Sequence, residues 1–369
     1  MRAWIEVDLD VLGDNYRTVR SFIGNGVDLI AVVKADAYGY GLSRISQELD
    51  GLGVDAFAVI SLEEARTVRQ QSVRPVLIMG YLDSKEIGAA IDEGFILSLY
   101  DRELISLFER TGERIGKMAR VHLKVETGLN RLGMNVDDAA DLLTGQHRFP
   151  HLSIEAIFSH LANSTDRQSN LEQLKEIQAL LVKIQGRSPL LPIHLISSYA
   201  LSNFPEGRFD AVRVGLALYG EDEIIPGLAP ILTGKSVVMQ VKSVPVGQGI
   251  GYGHIFKASR DTTLAIVAAG YAEGYTQALT GPAEVIVKGS RVKVVGKISM
   301  NLVAIDVTGL AVKRGDEVVL IGAQKNDAGF EIRVTASELA LWSHLRHHEI
   351  VARLGSALPR VYRGGKFNG

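Results

Sequence analysis

From residue 28 to 219 the chain repeats one pattern, a short continuous apolar run followed by a stretch with apolar residues three and four apart. The runs are Leu29–Val33, Ala56–Ile60, Val76–Met79, Phe95–Leu99, Val121–Val125, Ile154–Phe158, Ile193–Ile196 and Ala211–Val214. Uninterrupted apolar residues of that length predict strands covered on both faces. Stretches such as Ser61–Gln70, Ser84–Asp92, Arg102–Arg110 and Ser169–Ile184 predict helices with one buried side. Eight such units in succession predict an α/β fold, a closed (β/α)8 TIM-type barrel rather than an open doubly wound sheet.

After Tyr219-Gly220 the texture changes. Pro226 and Pro230 punctuate a linker, and the segments Ser236–Ser243, Thr263–Ala269, Ala283–Val287, Arg291–Val295, Leu302–Val307 and Glu317–Ile321 read as short strands with glycine turns. One helix is expected among them, opened by the capping-box pattern Thr335-Ala-Ser-Glu338. Ala3–Asp8 lies outside the eight units and is expected to pair with this second sheet. The predicted division is a barrel over residues 10–230 and a mostly β C-terminal domain over 231–369 that includes the strand in residues 1–9.

Composition narrows the function classes. A formal charge of −2 gives no electrostatic case for nucleic acid or an anionic membrane. The chain has no cysteine, which excludes disulfides and thiolate metal sites and fits a reducing, cytoplasmic setting. No apolar run approaches the roughly 20 residues of a membrane span, and the N-terminus lacks the apolar core of a signal peptide. No GxGxxG or Walker loop follows any predicted strand, so a dinucleotide or nucleoside-triphosphate site has no support.

Barrel chemistry sits at the C-terminal ends of the strands. Lys34, Ser61, Tyr100, Lys124 with Glu126, His160, Ser197 with Ser198, and Arg213 all fall there. Lys34 is the most informative. An ammonium directly after a buried strand is costly to desolvate unless a site uses it. Burial lowers a lysine pKa and frees the amine to attack a carbonyl, as Schiff-base lysines do, whereas a snorkelling strand-end lysine is the plainer reading. Ser197-Ser198 and Arg213-Val-Gly215-Leu216 follow the seventh and eighth strands, where barrels often bind phosphate.

Several motifs decide between these readings. Ala-Val-Val-Lys34-Ala-Asp-Ala-Tyr38-Gly, Leu-Lys124-Val-Glu-Thr-Gly-Leu-Asn-Arg131-Leu-Gly, Phe-Ser-His160, Arg213-Val-Gly215, Gly-Tyr252-Gly and Gly-Tyr271-Ala-Glu-Gly occur in this order. They lie between an opening Trp-Ile-Glu-Val-Asp-Leu-Asp and a closing Leu-Pro-Arg-Val-Tyr362. In this the chain resembles the alanine racemases, fold-type III pyridoxal 5'-phosphate enzymes, nearly end to end. The resemblance implies that Lys34 carries the cofactor and acts as base on one face of the substrate. Tyr252 then acts on the other face, and its phenolate needs nearby cations, since a free phenol titrates near ~10.

By the same resemblance, Arg213 faces the pyridine nitrogen, where it cannot accept a proton, and His160 hydrogen-bonds that arginine. Tyr38, Ser198, Gly215 and Leu216 hold the phosphate. Arg131 orients the cofactor oxygen and the substrate carboxylate, and Met300 offers its backbone N–H to that carboxylate. Lys124 matches a lysine that many relatives carry as a carbamate, and a plain Lys124–Glu126 pair is the alternative. Tyr271 and His348 stand at the entrance. The working unit implied is a homodimer, with the β domain reaching over the partner's barrel, and the activity is alanine racemisation that supplies D-alanine for peptidoglycan.

Three positions depart from the pattern. Ser299-Met300-Asn301 replaces the usual Cys-Met-Asp, Ser197 stands where asparagine is common, and His348-Glu349 replaces a Tyr-Glu pair. These departures leave open a racemase of serine or of several small amino acids. A non-catalytic pyridoxal-phosphate-binding protein is a third reading, but such a protein has no reason to arrange Tyr252 and Met300.

Overall fold

A computed structural model describes residues 2–220 and 224–365. The linker residues 221–223, the first residue and the last four residues of the predicted domain ranges lie outside the described residues. After an N-terminal strand, β1 (Ala3–Asp8), eight parallel strands close into a barrel. They are β2 (Asp28–Val32), β3 (Ala56–Val59), β4 (Val76–Ile78), β5 (Ile96–Leu99), β6 (Ala119–Lys124), β7 (Leu152–Phe158), β8 (Ile193–Ser197) and β9 (Ala211–Val214). All eight coincide with the predicted runs to within two residues at either end. Closure is the pairing of β2 with β9, which sets Ile30 beside Arg213.

The continuous apolar character of these strands reflects two separate cores. In β2 and just after it, Leu29, Ala31 and Val33 pack outward against the helices, while Ile30 and Val32 join Ala58, Leu77, Ile96 and Ala211 inside the barrel. That alternation is the period-2 geometry of a strand with both faces buried.

The second domain is one nine-stranded sheet built around β10 (Leu232–Val244). β10 pairs antiparallel with β1, and β1 pairs in parallel with Arg360–Arg363, so both ends of the chain lie in this sheet, as expected for Ala3–Asp8. The predicted helix is present as Ala336–Ser343. Thr335 Oγ1 accepts from Glu338 N at 3.1 Å, and the Glu338 carboxylate accepts from Thr335 N at 2.8 Å.

The expectation of a single helix is corrected: a second one, His347–Ala357, follows. Its Ile350, Val351 and Leu354 are buried at helical spacing, but Arg346 gives no capping hydrogen bond to announce it. Two strands also escaped the reading, Glu331–Val334 and Arg360–Arg363, as did the short hairpin of Gly249–Ile250 with Phe256–Lys257.

Candidate active site

The chain leaves β2 through an unusual turn. Ala35, Asp36, Ala37 and Tyr38 have φ of 53, 54, 53 and 57°, all left-handed and none of them glycine. The left-handed conformation costs roughly 1–2 kcal/mol per residue, so the surroundings must impose it. Gly39 follows at φ 89°, where a Cβ would lie 3.0 Å from the Cα of Gly355. This turn delivers Lys34, half-buried, into a cavity of about 880 Å³ at the C-terminal mouth of the barrel. Burial, then the positive charge of Arg131, lowers the pKa of Lys34, and Glu64 opposes them. A lysine so placed carries more free amine near neutrality than an exposed one.

Tyr38, Ser198, Gly215 and Leu216 meet in one corner of the same cavity. The Ser198 hydroxyl accepts from Gly215 N and Ala217 N, both at 3.2 Å. A Cβ on Gly215 would lie 2.8 Å from the Tyr38 phenol oxygen, so this position needs a glycine for space. The Tyr38 ring leans on Tyr219 with centroids 5.3 Å apart, and burial pushes its phenol up to about 12. It therefore stays protonated and can donate to an anion.

Arg213 is 3% exposed and heavily bonded. Its NH1 donates to His194 Nδ1 at 2.8 Å and His194 O at 2.7 Å. NH2 reaches Ser159 O at 2.6 Å, Leu195 O at 3.1 Å and His160 Nδ1 at 3.2 Å. Burial, then Arg131, lowers the guanidinium pKa to about 10, which leaves it charged at neutrality. Arginine only donates, so His194 Nδ1 must accept and its Nε2 must carry the proton. That proton goes to His122 Nδ1 at 3.0 Å. Burial holds His122 and His160 at about 3 and His194 well below the ordinary range, so all three are neutral.

The sequence reading missed His122 and His194. Their signal was the strand period: His122 lies two residues before Lys124 and faces inward with it.

Lys124 is 7% exposed, with Nζ 4.8 Å from the Phe158 ring centroid. Burial, then Arg213 and Arg131, lowers its pKa to about 8. Glu126 serves a different purpose from a plain ion pair. Its carboxylate accepts from Gly128 N at 2.6 Å and Arg131 N at 3.3 Å, and so shapes the loop that brings Arg131 to the cavity wall.

Besides Glu126, two members of the expected ring, Ser61 and Tyr100, do not line the cavity. The Ser61 hydroxyl accepts from Glu64 N at 3.2 Å and caps the helix Leu62–Gln71. Tyr100 lines a different, small cavity with Leu97 and Phe108. The residue that follows a barrel strand can start the next helix or turn outward, and one-dimensional position does not distinguish these.

The β-domain residues stand apart from this cavity. Tyr252, at the hairpin tip between Gly251 and Gly253, is 71% exposed. Met300 is 56% and Tyr271 44% exposed, and none of the three lines the mouth of their own barrel. Tyr271 N donates to Ser299 O at 3.2 Å and Ala272 N to Met300 O at 2.9 Å, which ties their two segments together. Asn301 donates to Glu273 at 2.8 Å, and Glu273 also holds Arg2 at 2.9 Å. An aspartate at 301 would set two carboxylates against each other there.

His347, unpredicted, lines the cavity with Arg346, and its Nε2 lies 3.0 Å from the Tyr199 hydroxyl. His348 is half-buried and does not line the cavity, although the charge of Lys34 is close enough to affect it. Its Nδ1 is buried without a hydrogen-bond partner.

An amine, a phenol, a hydroxyl, backbone N–H groups and a fixed cation thus face one cavity. This donor set fits a small aromatic aldehyde bearing a phosphate. Among the described residues no group of three or more His, Cys, Asp or Glu could hold a metal ion. Residues 7–223 match the family profile "Alanine racemase, N-terminal domain", and residues 231–362 match "Alanine racemase, C-terminal domain".

The chain belongs to the alanine racemase family.

It is 35% identical to the alanine racemase of Symbiobacterium thermophilum, over 98% of this chain and 97% of that one. Its fold overlays the alanine racemase of D-cycloserine-producing Streptomyces lavendulae with a TM-score of 0.91 at 30% identity, covering 99% of this chain and 98% of that one. It also overlays the alanine racemase of Bartonella henselae with covalently bound pyridoxal phosphate, with a TM-score of 0.87 at 27% identity, covering 98% of this chain and all (100%) of that one. As a member of the alanine racemase family the protein is an isomerase, an amino-acid racemase dependent on pyridoxal phosphate. No helix among the described residues is long and apolar enough to cross a membrane.

Proposed function

We propose that the protein interconverts L- and D-alanine in the cytoplasm as a homodimer, with Lys34 and Tyr252 as its two proton-transfer groups, and supplies D-alanine for peptidoglycan. The observation that carries this reading is a contrast within one chain. Lys34, Arg213, Tyr38 and Ser198 share a cavity, while Tyr252 and Met300 are presented to solvent away from it.

The residues fit the cofactor. Lys34 would hold it covalently, Tyr38, Ser198 and the backbone of Gly215 and Leu216 would hold its phosphate, and Arg213 would face its ring nitrogen. When bound, pyridoxal phosphate supplies the electron-withdrawing ring system that makes the α-proton of an amino acid removable. Arg213 remains charged and has no proton-accepting site, so facing the ring nitrogen it would donate to it and leave it unprotonated. With that partner the bound group would delocalise charge less fully, which would favour return of the proton over side reactions.

Lys34 moves a proton on one face of Cα, and its lowered pKa supports that role. The opposite face needs a second group, which the partner's Tyr252 provides. Arg131, at the cavity wall, is a positive partner for the substrate carboxylate, and the Met300 backbone N–H adds a second contact. Lys124, with its pKa near 8, has the neutral amine that carbon dioxide requires, and its carbamate would neutralise Arg131. Tyr271 and His348 complete the entrance around Tyr252.

Chiral analysis of the purified protein with pyridoxal phosphate, against L- and D-alanine and L- and D-serine, tests this reading. Interconversion of alanine faster than serine supports it; racemisation of neither overturns it.

A further inference from the structure

The left-handed turn after Lys34 is held from the far end of the chain. Arg360, in the strand Arg360–Arg363, pairs with the Asp36 carboxylate in the middle of the turn. The same guanidinium donates from Nε to Gly39 O at 2.7 Å, where the turn ends, and from NH2 to Gly355 O at 2.9 Å. The other carboxylate oxygen of Asp36 accepts from Leu42 N at 2.6 Å. Glu64 supports the turn from behind: it accepts from Asp36 N at 3.1 Å and from Ile60 N at 3.0 Å. The Tyr362 hydroxyl, two residues beyond Arg360, donates to Tyr40 O at 2.9 Å.

These contacts are anchored. Arg360 is registered opposite Ile5 in the nine-stranded sheet, so the clamp has no freedom of its own. Gly39 and Gly355 meet backbone to backbone, and a Cβ on Gly355 would lie 2.4 Å from Gly39 O. A planar guanidinium can serve a carboxylate and two carbonyls together, and an ammonium cannot match that fork. Released from it, four non-glycine residues would relax toward right-handed backbone, and the amine of Lys34 would swing with them.

We propose that Arg360 is a positioning residue: by clamping Asp36 and Gly39 it holds the Lys34 turn left-handed and so fixes the direction of the lysine amine. The β domain thereby governs the cofactor lysine of its own barrel, separately from any group it offers to a partner. This inference rests on the assignment of Lys34 as the cofactor lysine.

The test compares the wild-type protein with Arg360→Met, Arg360→Lys and Asp36→Asn. Apparent affinity for added pyridoxal phosphate is read from the absorbance of the lysine-bound form and borohydride labelling of Lys34. Hydrogen exchange at residues 35–41 is read beside exchange in β6. Arg360→Met should weaken cofactor affinity at least tenfold and raise exchange at 35–41 at least tenfold, with β6 unchanged. Arg360→Lys should recover only part of both losses. If Arg360→Met does not fold, Arg360→Lys and Asp36→Asn carry the same comparison, each expected to shift both readouts several-fold. An unmoved affinity, or unmoved exchange at 35–41, overturns the positioning role. Failure of the wild-type protein to label at Lys34 overturns the cofactor assignment instead, a result seen before any variant is compared.

Discussion

The barrel mouth and the exposed rim of the β domain are built in opposite ways. Around Arg213 the mouth is buried, bonded and electrostatically tuned by its own chain: Arg213 has five named hydrogen bonds, and three histidines around it are held neutral. On the rim, Tyr252 and Tyr271 stand exposed on glycine-flanked turns, and Met300 is exposed on the segment bonded to that of Tyr271. Large exposed side chains of this kind suit contact with another molecule. The difference separates two tasks. On the proposed reading, one chain holds the cofactor in place and the second proton-transfer group comes from its partner.

The largest break in that comparison is Lys34→Ala. It removes a general base, worth about 10²–10⁴-fold, together with covalent attachment of the cofactor, so activity should fall by about 10⁴-fold or more. Borohydride should then label no lysine in the mouth. Tyr252→Phe should lose about 10²–10⁴-fold while the bound cofactor is kept. By resemblance Lys34 serves the D-enantiomer and Tyr252 the L-enantiomer, so α-proton exchange of the two should respond unequally. Mixing the two inactive variants sharpens the comparison further. A dimer with shared sites regains one intact site per hybrid, and absence of recovery despite demonstrated subunit exchange would place each site within one chain.

A smaller effect concerns Lys124 alone. Its pKa lies below the ordinary lysine value, so the neutral amine grows from a minority to a majority as pH rises through about 8. Carbon dioxide adds only to that neutral form. Activity should therefore fall several-fold when carbon dioxide is stripped from the buffer and return with bicarbonate. Lys124→Ala should lose that response, and carbon-13 NMR with labelled bicarbonate should show one carbamate resonance in the wild type. Equal activity with and without bicarbonate, and no such resonance, would leave Lys124 a plain buried cation over Phe158.

The barrel was legible because both of its strand faces are apolar and eight strand-then-helix units follow one another, the count that closes a barrel. The ring of site residues was legible for the same reason, since a polar residue just after a buried strand stands out. What stayed hidden depends on direction. Ser61 caps a helix and Tyr100 turns to another cavity, although both occupy the same position relative to a strand as Lys34 does. His122 and His194 lie inside strands and not after them, so a reading confined to strand ends passes over them. The left-handed turn was invisible because Ala-Asp-Ala-Tyr carries no local signal for positive φ, and it is imposed by Arg360 from the far end of the chain.

The smallest effect is expected at His348, on the border between the two regions. A tyrosine there would put an aromatic wall and a phenol beside the substrate side chain. Burial, then His347 and Arg346, lowers the His348 pKa, so the ring is neutral at pH 7. A neutral imidazole nitrogen can bond a serine hydroxyl directly or through water. Such a bond is worth only about 0.5–1.5 kcal/mol net, so a gain of several-fold for serine is expected, with alanine still preferred because serine must desolvate its hydroxyl. His348→Tyr should then lower the serine-to-alanine ratio of kcat/KM and leave alanine turnover within a few-fold. Within one chain it is His347 that lines the cavity, with His348 beside it. An unchanged ratio in His348→Tyr would therefore move the selectivity to His347 and its hydroxyl partner Tyr199, on the barrel side of the border.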